Sequence, residues 1–85
     1  MNWTVVVAEA AQKQLARFPA KDQARIAAAL LAITNNPFSG DIVKLEGEPN
    51  RWRRRVGHYR IFFSVDKATR IASISAVLRR TSTTY

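Results

Sequence analysis

Between residues 51 and 60 the sequence reads RWRRRVGHYR, five arginines within ten positions. A guanidinium is a poor proton donor or acceptor near neutral pH, but its planar fork of N–H donors suits phosphate. The spacing decides whether these side chains converge. A two-residue Gly-X connection at Gly57-His58 suits a type II′ hairpin turn, with Val56 opposite Tyr59 and Arg55 opposite Arg60. Alternation then sends Trp52, Val56, Tyr59, Ile61, Phe63 and Val65 to one face, and Arg53, Arg55, Arg60, Phe62 and Ser64 to the other. Arg55 and Arg60 face each other with β-carbons about 5 Å apart, an unfavourable pairing of like charges unless an anion sits between them.

Extending the register through a four-residue turn at residues 66–69 adds Ser73, Ser75, Val77 and Arg79 to the arginine face. It sends Ala72, Ile74, Ala76 and Leu78 to the core. The expected surface is basic, with one aromatic, Phe62, and small serines beside it. Arginines would hold phosphates there and the aromatic would stack a base. Arg54 is aimed at the core side by the same register and reads as structural.

These strands need a scaffold, and the first half of the chain supplies it. NWTVVV (2–7) is a short β-rich run. In AEAAQKQLARFP, Ala11, Leu15 and Phe18 form one helical stripe; in AKDQARIAAALLAITNN, Ile26, Ala29, Leu30 and Ile33 form another. Pro19 separates them and opens the second, and Asn35-Asn36-Pro37 stops it. Residues 37–50 read as a connection with a short strand around Ile42–Leu45. RWRRRV (51–56), YRIFFSV (59–65) and RIASISAVL (70–78) are the remaining strands. The expected fold class is α+β: an N-terminal strand and a helical hairpin packed on a mostly antiparallel four-stranded sheet, in the order β-α-α-β-β-β.

Composition bounds the function. A chain of 85 residues suits one domain, residues 1–85, with one modest core. Without cysteine there is no disulfide, zinc finger or thiol chemistry, which fits a reducing cytoplasm. MNWTVVVAEA lacks the basic start and long apolar stretch of a signal peptide, and no run approaches a membrane span. Ten arginines and four lysines against six acids give a net charge of +8. Residues 44–85 hold ten of the basic side chains and only three of the acids. That excess points to a polyanionic partner.

The segment KLEGEPNRWRRRVGHYRIFFSVD, with VLRRTSTTY closing the chain, resembles the RelE/ParE toxin superfamily across essentially its whole length. The matching features are a K-L-x-G turn, a strand of basic residues, a G-x-Y-R hairpin, and a last strand ending in Arg and Tyr. The resemblance implies a RelE-like fold and a toxin of a type II toxin–antitoxin system. Its RelE-like branch cuts mRNA on the ribosome, usually without a metal, using basic residues and a tyrosine. Its ParE-like branch inhibits DNA gyrase, and a non-catalytic RNA-binding domain is the remaining alternative. Carried onto this chain, the catalytic set is Arg53, Arg55, Arg60, Arg79 and Tyr85, with Lys44, Phe62 and Arg80 as substrate-binding residues. The implied partners are a cognate antitoxin and ribosome-bound mRNA, with no small-molecule cofactor and no membrane.

The chain also departs from its relatives. Arg53 and Arg55 stand where lysines are common. Val43 and the threonines of TSTTY occupy regions where some relatives carry a glutamate base and a histidine. His58, Glu46 and Glu48 match no catalytic position and read as surface residues. The implied reaction is attack of the ribose 2′-OH on its own phosphate. Arg55 and Arg60 would stabilise the phosphorane, Arg79 would stand near the leaving oxygen, and Tyr85 would act as base or stack on a nucleobase.

Overall fold

Ile26, Ala29 and Ile33 repeat at helical spacing and become the buried stripe of a long helix; alternate residues from Tyr59 to Val65 become the buried side of a strand. Those two patterns meet to form the core. The computed structural model describes residues 2–80 of the 85-residue chain. Their order is β1 (Thr4–Val7), α1 (Glu9–Ala16), α2 (Ala20–Asn35), β2 (Ile42–Lys44), β3 (Arg51–Val56), β4 (Tyr59–Asp66) and β5 (Ile71–Arg79). The helices cover one face of the sheet. Ala11, Ile26, Ala29 and Ile33 pack there against Tyr59, Ile61, Phe63, Val65, Ala72, Ile74 and Val77. No helix among the described residues is long and apolar enough to cross a membrane.

The sheet has five strands rather than four, in the order β1-β5-β4-β3-β2. The short Ile42–Lys44 segment pairs with β3, and β1 lies parallel to β5 while the other pairings are antiparallel. Beyond the end of β1, the margin of β5 is sealed from α1: Gln14 Oε1 accepts the Val77 N–H at 2.7 Å.

The β3–β4 register matches the sequence expectation pair for pair, from Val56↔Tyr59 to Trp52↔Phe63. Gly57 has φ +57°, and His58 is not left-handed, as a type II′ turn requires. The next hairpin differs. Asp66 pairs with Ile71, so the turn spans residues 67–70, and Asp66 Oδ1 accepts the Ala68 and Thr69 N–H groups.

Further along β5, the pairing changes from Phe63↔Ile74 to Phe62↔Ala76, leaving Ser75 as an extra residue. The Ser75 hydroxyl donates to the Phe62 carbonyl at 3.2 Å where the ladder is interrupted. One inserted residue reverses the faces of everything beyond it. Ala72 and Ile74 reach the core and Ser73 stays outside, as the sequence predicts. Val77 and Arg79, however, lie on the helix side, with Val77 fully buried, and Ala76 and Leu78 lie on the outer side, with Leu78 46% exposed. Arg79 therefore does not share a face with Arg55 and Arg60.

Arg54 takes the structural role its register suggests. It projects to the helix side opposite Ile61, and its Nη1 donates to the Ser39 carbonyl at 3.0 Å. This ties down the connection after α2, where Pro37 is buried and Phe38 packs edge-on against Trp3 and Trp52. Gly40 has φ +82°, and a β-carbon there would stand 2.7 Å from Arg54 Cζ. Gly40→Ala should therefore lower stability by about 2 kcal/mol, combining left-handed strain with a disturbed Arg54–Ser39 bond. Urea denaturation measures the loss, and Arg54→Met should remove only the part that comes from the Arg54–Ser39 bond, leaving the left-handed strain of alanine at position 40.

A second polar tie joins α2 to the sheet: the Tyr59 hydroxyl donates to Asp22 Oδ2 at 2.6 Å. That bond, then burial, then the Asp22 charge push the Tyr59 hydroxyl above its ordinary value of 10.0, with Arg79 and Arg25 pulling the other way. The folded state thus holds the phenolic proton to higher pH than the unfolded chain does. The associated stability is fully present below about pH 10 and is lost as pH rises through the folded value. Denaturation midpoints should fall above pH 10, and Tyr59→Phe should flatten that part of the fall.

Candidate nucleic-acid interface

Odd-numbered residues of β3 and even-numbered residues of β4 point away from the helices. This brings Arg51, Arg53 and Arg55 beside Arg60, Phe62 and Ser64 on the outer face, where Arg55 is paired with Arg60 and Arg53 with Phe62. β2 adds Val43 opposite Arg53, and β5 adds Ala76 and Leu78 opposite Phe62 and Arg60. The face is thus arginine-rich toward β3 and apolar toward β5, with Phe62 between the two.

The arginines are not equivalent. Arg55 Nε lies 3.0 Å from Asp41 Oδ2, and the Arg55 N–H donates to the Asp41 carbonyl at 2.9 Å. The anion that relieves the Arg55–Arg60 juxtaposition therefore comes from within the chain. Arg51 reaches across the face, its Nη2 donating to Ser75 Oγ at 3.4 Å and its Nη1 lying 4.0 Å from Glu48 Oε1. Arg53 and Arg60 have no acidic partner among the described residues. Arg60 Nε is shielded from solvent without a hydrogen-bond acceptor, as is Arg51 Nε. A shielded guanidinium N–H without an acceptor is under-satisfied, and a phosphate oxygen is a suitable partner for it.

The other expected site residues separate. Phe62 is half-buried on the arginine face, as the register requires. Lys44 pairs with Trp52 and so stands on the helix side of edge strand β2, across the sheet from Arg53. Arg79 lies opposite Tyr59 near Asp22 and Arg25, on that same side. Arg80 follows it: its N–H donates to the His58 carbonyl at 2.6 Å, and continued alternation returns its side chain to the outer face. Tyr85 lies outside the described residues.

Two residues join the site that sequence reasoning did not place there. Arg51 was accessible by extending the same alternation one step beyond Arg53. Asp41 had no such signal, because it lies in a connection whose path depends on Pro37, Phe38 and Arg54. An open hollow of about 430 Å³ adjoins the face beyond Phe62, lined in part by Asn50, Ser64, Asp66 and Ser73.

The same architecture recurs in solved toxin structures. The archaeal RelE–RelB complex from Pyrococcus horikoshii contains a chain 24% identical to this one, with a TM-score of 0.84 over 96% of this chain and 99% of that one. The isolated RelE toxin of Escherichia coli matches with a TM-score of 0.82 at 15% identity, over 96% and 88% of the two chains. The RelB–RelE antitoxin–toxin complex of Methanococcus jannaschii matches at 28% identity and a TM-score of 0.72, over 87% and 88%. No curated protein sequence matches the chain. The family model described as the ParE toxin of the type II toxin–antitoxin system parDE matches residues 5–83. With the match spanning nearly every element of the fold, the chain belongs to this toxin family of type II toxin–antitoxin systems.

Proposed function

We propose that the toxin arrests translation by cutting mRNA on the ribosome, as a metal-independent endoribonuclease with no cofactor. The observation that carries this reading is the outer face, uncovered among the described residues, where Arg53, Arg55 and Arg60 surround Phe62. In this reading residues 1–85 are one toxin domain, the protein works in the cytoplasm, and a cognate antitoxin restrains it. The antitoxin is supported by the toxin–antitoxin complexes among the structural relatives.

The proposed reaction is attack of the 2′-oxygen on the adjacent phosphorus. A bond from the 2′-oxygen to phosphorus forms, and the bond from phosphorus to the 5′-oxygen breaks. The products are a 2′,3′-cyclic phosphate and a 5′-hydroxyl, with one proton leaving the 2′-OH and another reaching the 5′-oxygen. Arg60 and Arg55 stabilise the charge that builds on the phosphorane, where oriented donors are most effective. Arg53 holds a neighbouring phosphate and Phe62 offers a ring to a base. Arg79, on the helix side, is not available near the leaving oxygen without a rearrangement of β5; Arg80 is the later arginine that alternation gives to this face. Tyr85 remains the proposed base. Lys44, at the sheet margin, is proposed to meet RNA running over the edge.

A face rich in phosphate donors but poor in proton acceptors depends on the ribosome to hold the 2′-OH in line. A second reading, inhibition of DNA gyrase, is favoured by the ParE description of the matching family model. Primer extension on cellular mRNA after induction separates the two. Ribosome-dependent cleavage predicts codon-phased breaks that Arg60→Ala reduces by about 10²-fold or more. Intact mRNA with a DNA-damage response would instead support gyrase inhibition. Purified toxin should also leave naked RNA largely uncut at physiological salt; rapid degradation would remove the ribosome from the mechanism.

A further inference from the structure

Among the described residues, Asp41 is the one acidic side chain in ion-pair contact with the Arg53–Arg55–Arg60 cluster. Its position is built, because the connection that carries it is fixed at several points. Pro37 is buried, Phe38 is wedged between Trp3 and Trp52, and the Ser39 carbonyl is held by Arg54. The Ile42 N–H closes back on the Gly40 carbonyl at 3.1 Å, and the Asp41 carbonyl holds the Arg55 N–H. These contacts fix the backbone on both sides of a carboxylate that reaches Arg55 Nε, with the two side chains 58% and 54% exposed. Such exposure leaves the pair open to competition by an incoming anion.

We propose that Asp41 is an internal stand-in for phosphate, occupying Arg55 until a nucleic-acid phosphate displaces it. The proposal rests on the nucleic-acid reading of this face and assigns its regulation. The like-charged Arg55–Arg60 pair needs an anion, and Asp41 provides one in the free protein. A ligand phosphate must then compete with a tethered carboxylate for Arg55, while Arg53 and Arg60 remain open. The mask weakens contact with any single phosphate arriving from solution. It acts least against a strand already held across Arg53, Phe62 and Arg60, and so favours RNA presented in place over free polyanions.

The test is binding of a short single-stranded 2′-O-methyl RNA oligonucleotide, which cannot be cut by 2′-OH attack, followed by fluorescence anisotropy across a salt series. Asp41→Asn keeps the shape and the backbone contact but removes the charge. It should bind about fivefold tighter at moderate salt, as release of an exposed ion pair allows. Its log–log salt dependence should be steeper by about 0.7, the increment for one more phosphate contact on a single strand. Glu46→Gln makes the same change in net charge without freeing an arginine and should leave the slope unchanged. In an Arg55→Ala background, Asp41→Asn should gain nothing; thermal melts show that each variant is folded. Equal gains from Asp41→Asn and Glu46→Gln, or a gain that survives Arg55→Ala, would overturn the mask. If Arg53→Ala and Arg60→Ala lose binding while Asp41→Asn changes nothing, the face binds nucleic acid without a mask. If neither wild type nor Asp41→Asn binds, or if Arg53→Ala and Arg60→Ala bind as well as their parent, the nucleic-acid reading fails and the mask falls with it.

Discussion

A left-handed glycine at position 57 closes the β3–β4 hairpin in two residues, and this turn decides the side of the sheet on which each arginine stands. A turn one residue longer or shorter would exchange the two faces. Arg53 and Arg55 would then point at the helices while Trp52 and Val56 met water. The hydrophobic pattern holds the same register from the other side, since Tyr59, Ile61, Phe63 and Val65 must all be buried together. Core and outer face are therefore one constraint expressed twice. Burying the apolar set under α1 and α2 displays the cationic set on the opposite surface.

That coupling explains why the β3–β4 hairpin was legible in the sequence. Gly57-His58 names its own turn, and period-two alternation in YRIFFSV names its own face. The helices were legible for a similar reason, because Ile26, Ala29 and Ile33 can be buried together only at helical spacing. β5 was not legible beyond Ile74. Both sets of alternate residues there contain an apolar member, so Ala76 with Leu78 and Val77 with Arg79 are each acceptable patterns. Packing against Ile61 and the Gln14 bond to the Val77 N–H select the second set for the helix side. Neither partner is close in sequence to Val77.

The Ser75 bulge consequently divides the arginines by surroundings as well as by face. Arg79 joins Arg25 around the Tyr59–Asp22 hydrogen bond, where positive charge opposes the rise in the tyrosine's proton affinity. Arg53, Arg55 and Arg60 stay with Phe62. Motif alignment along β5 counts residues, whereas a sheet counts pairings, and one unpaired serine separates the two. The same insertion puts Leu78 beside Arg60, giving the arginine side of the face an apolar flank. A platform of that composition suits a chain with both charged backbone and stackable bases better than it suits a bare polyanion.

Asp41 completes the electrostatics that the hairpin begins. Register fixes the β-carbons of Arg55 and Arg60 opposite each other, and an anion beside either guanidinium eases the repulsion between them. Two routes supply one: a ligand, or a carboxylate delivered by the chain. The second lets the protein fold without its ligand, at the cost of competition when the ligand arrives. Anchoring the connection through Arg54 and Phe38 determines how strong that competition is, because a tethered carboxylate loses less freedom on pairing than a free anion does. The core-facing arginine of β3 thus governs the outward-facing one: Arg54 holds Ser39, Ser39 precedes Gly40 and Asp41, and Asp41 holds Arg55. Through that chain of contacts, a residue with no access to the outer face helps place the carboxylate that pairs with Arg55.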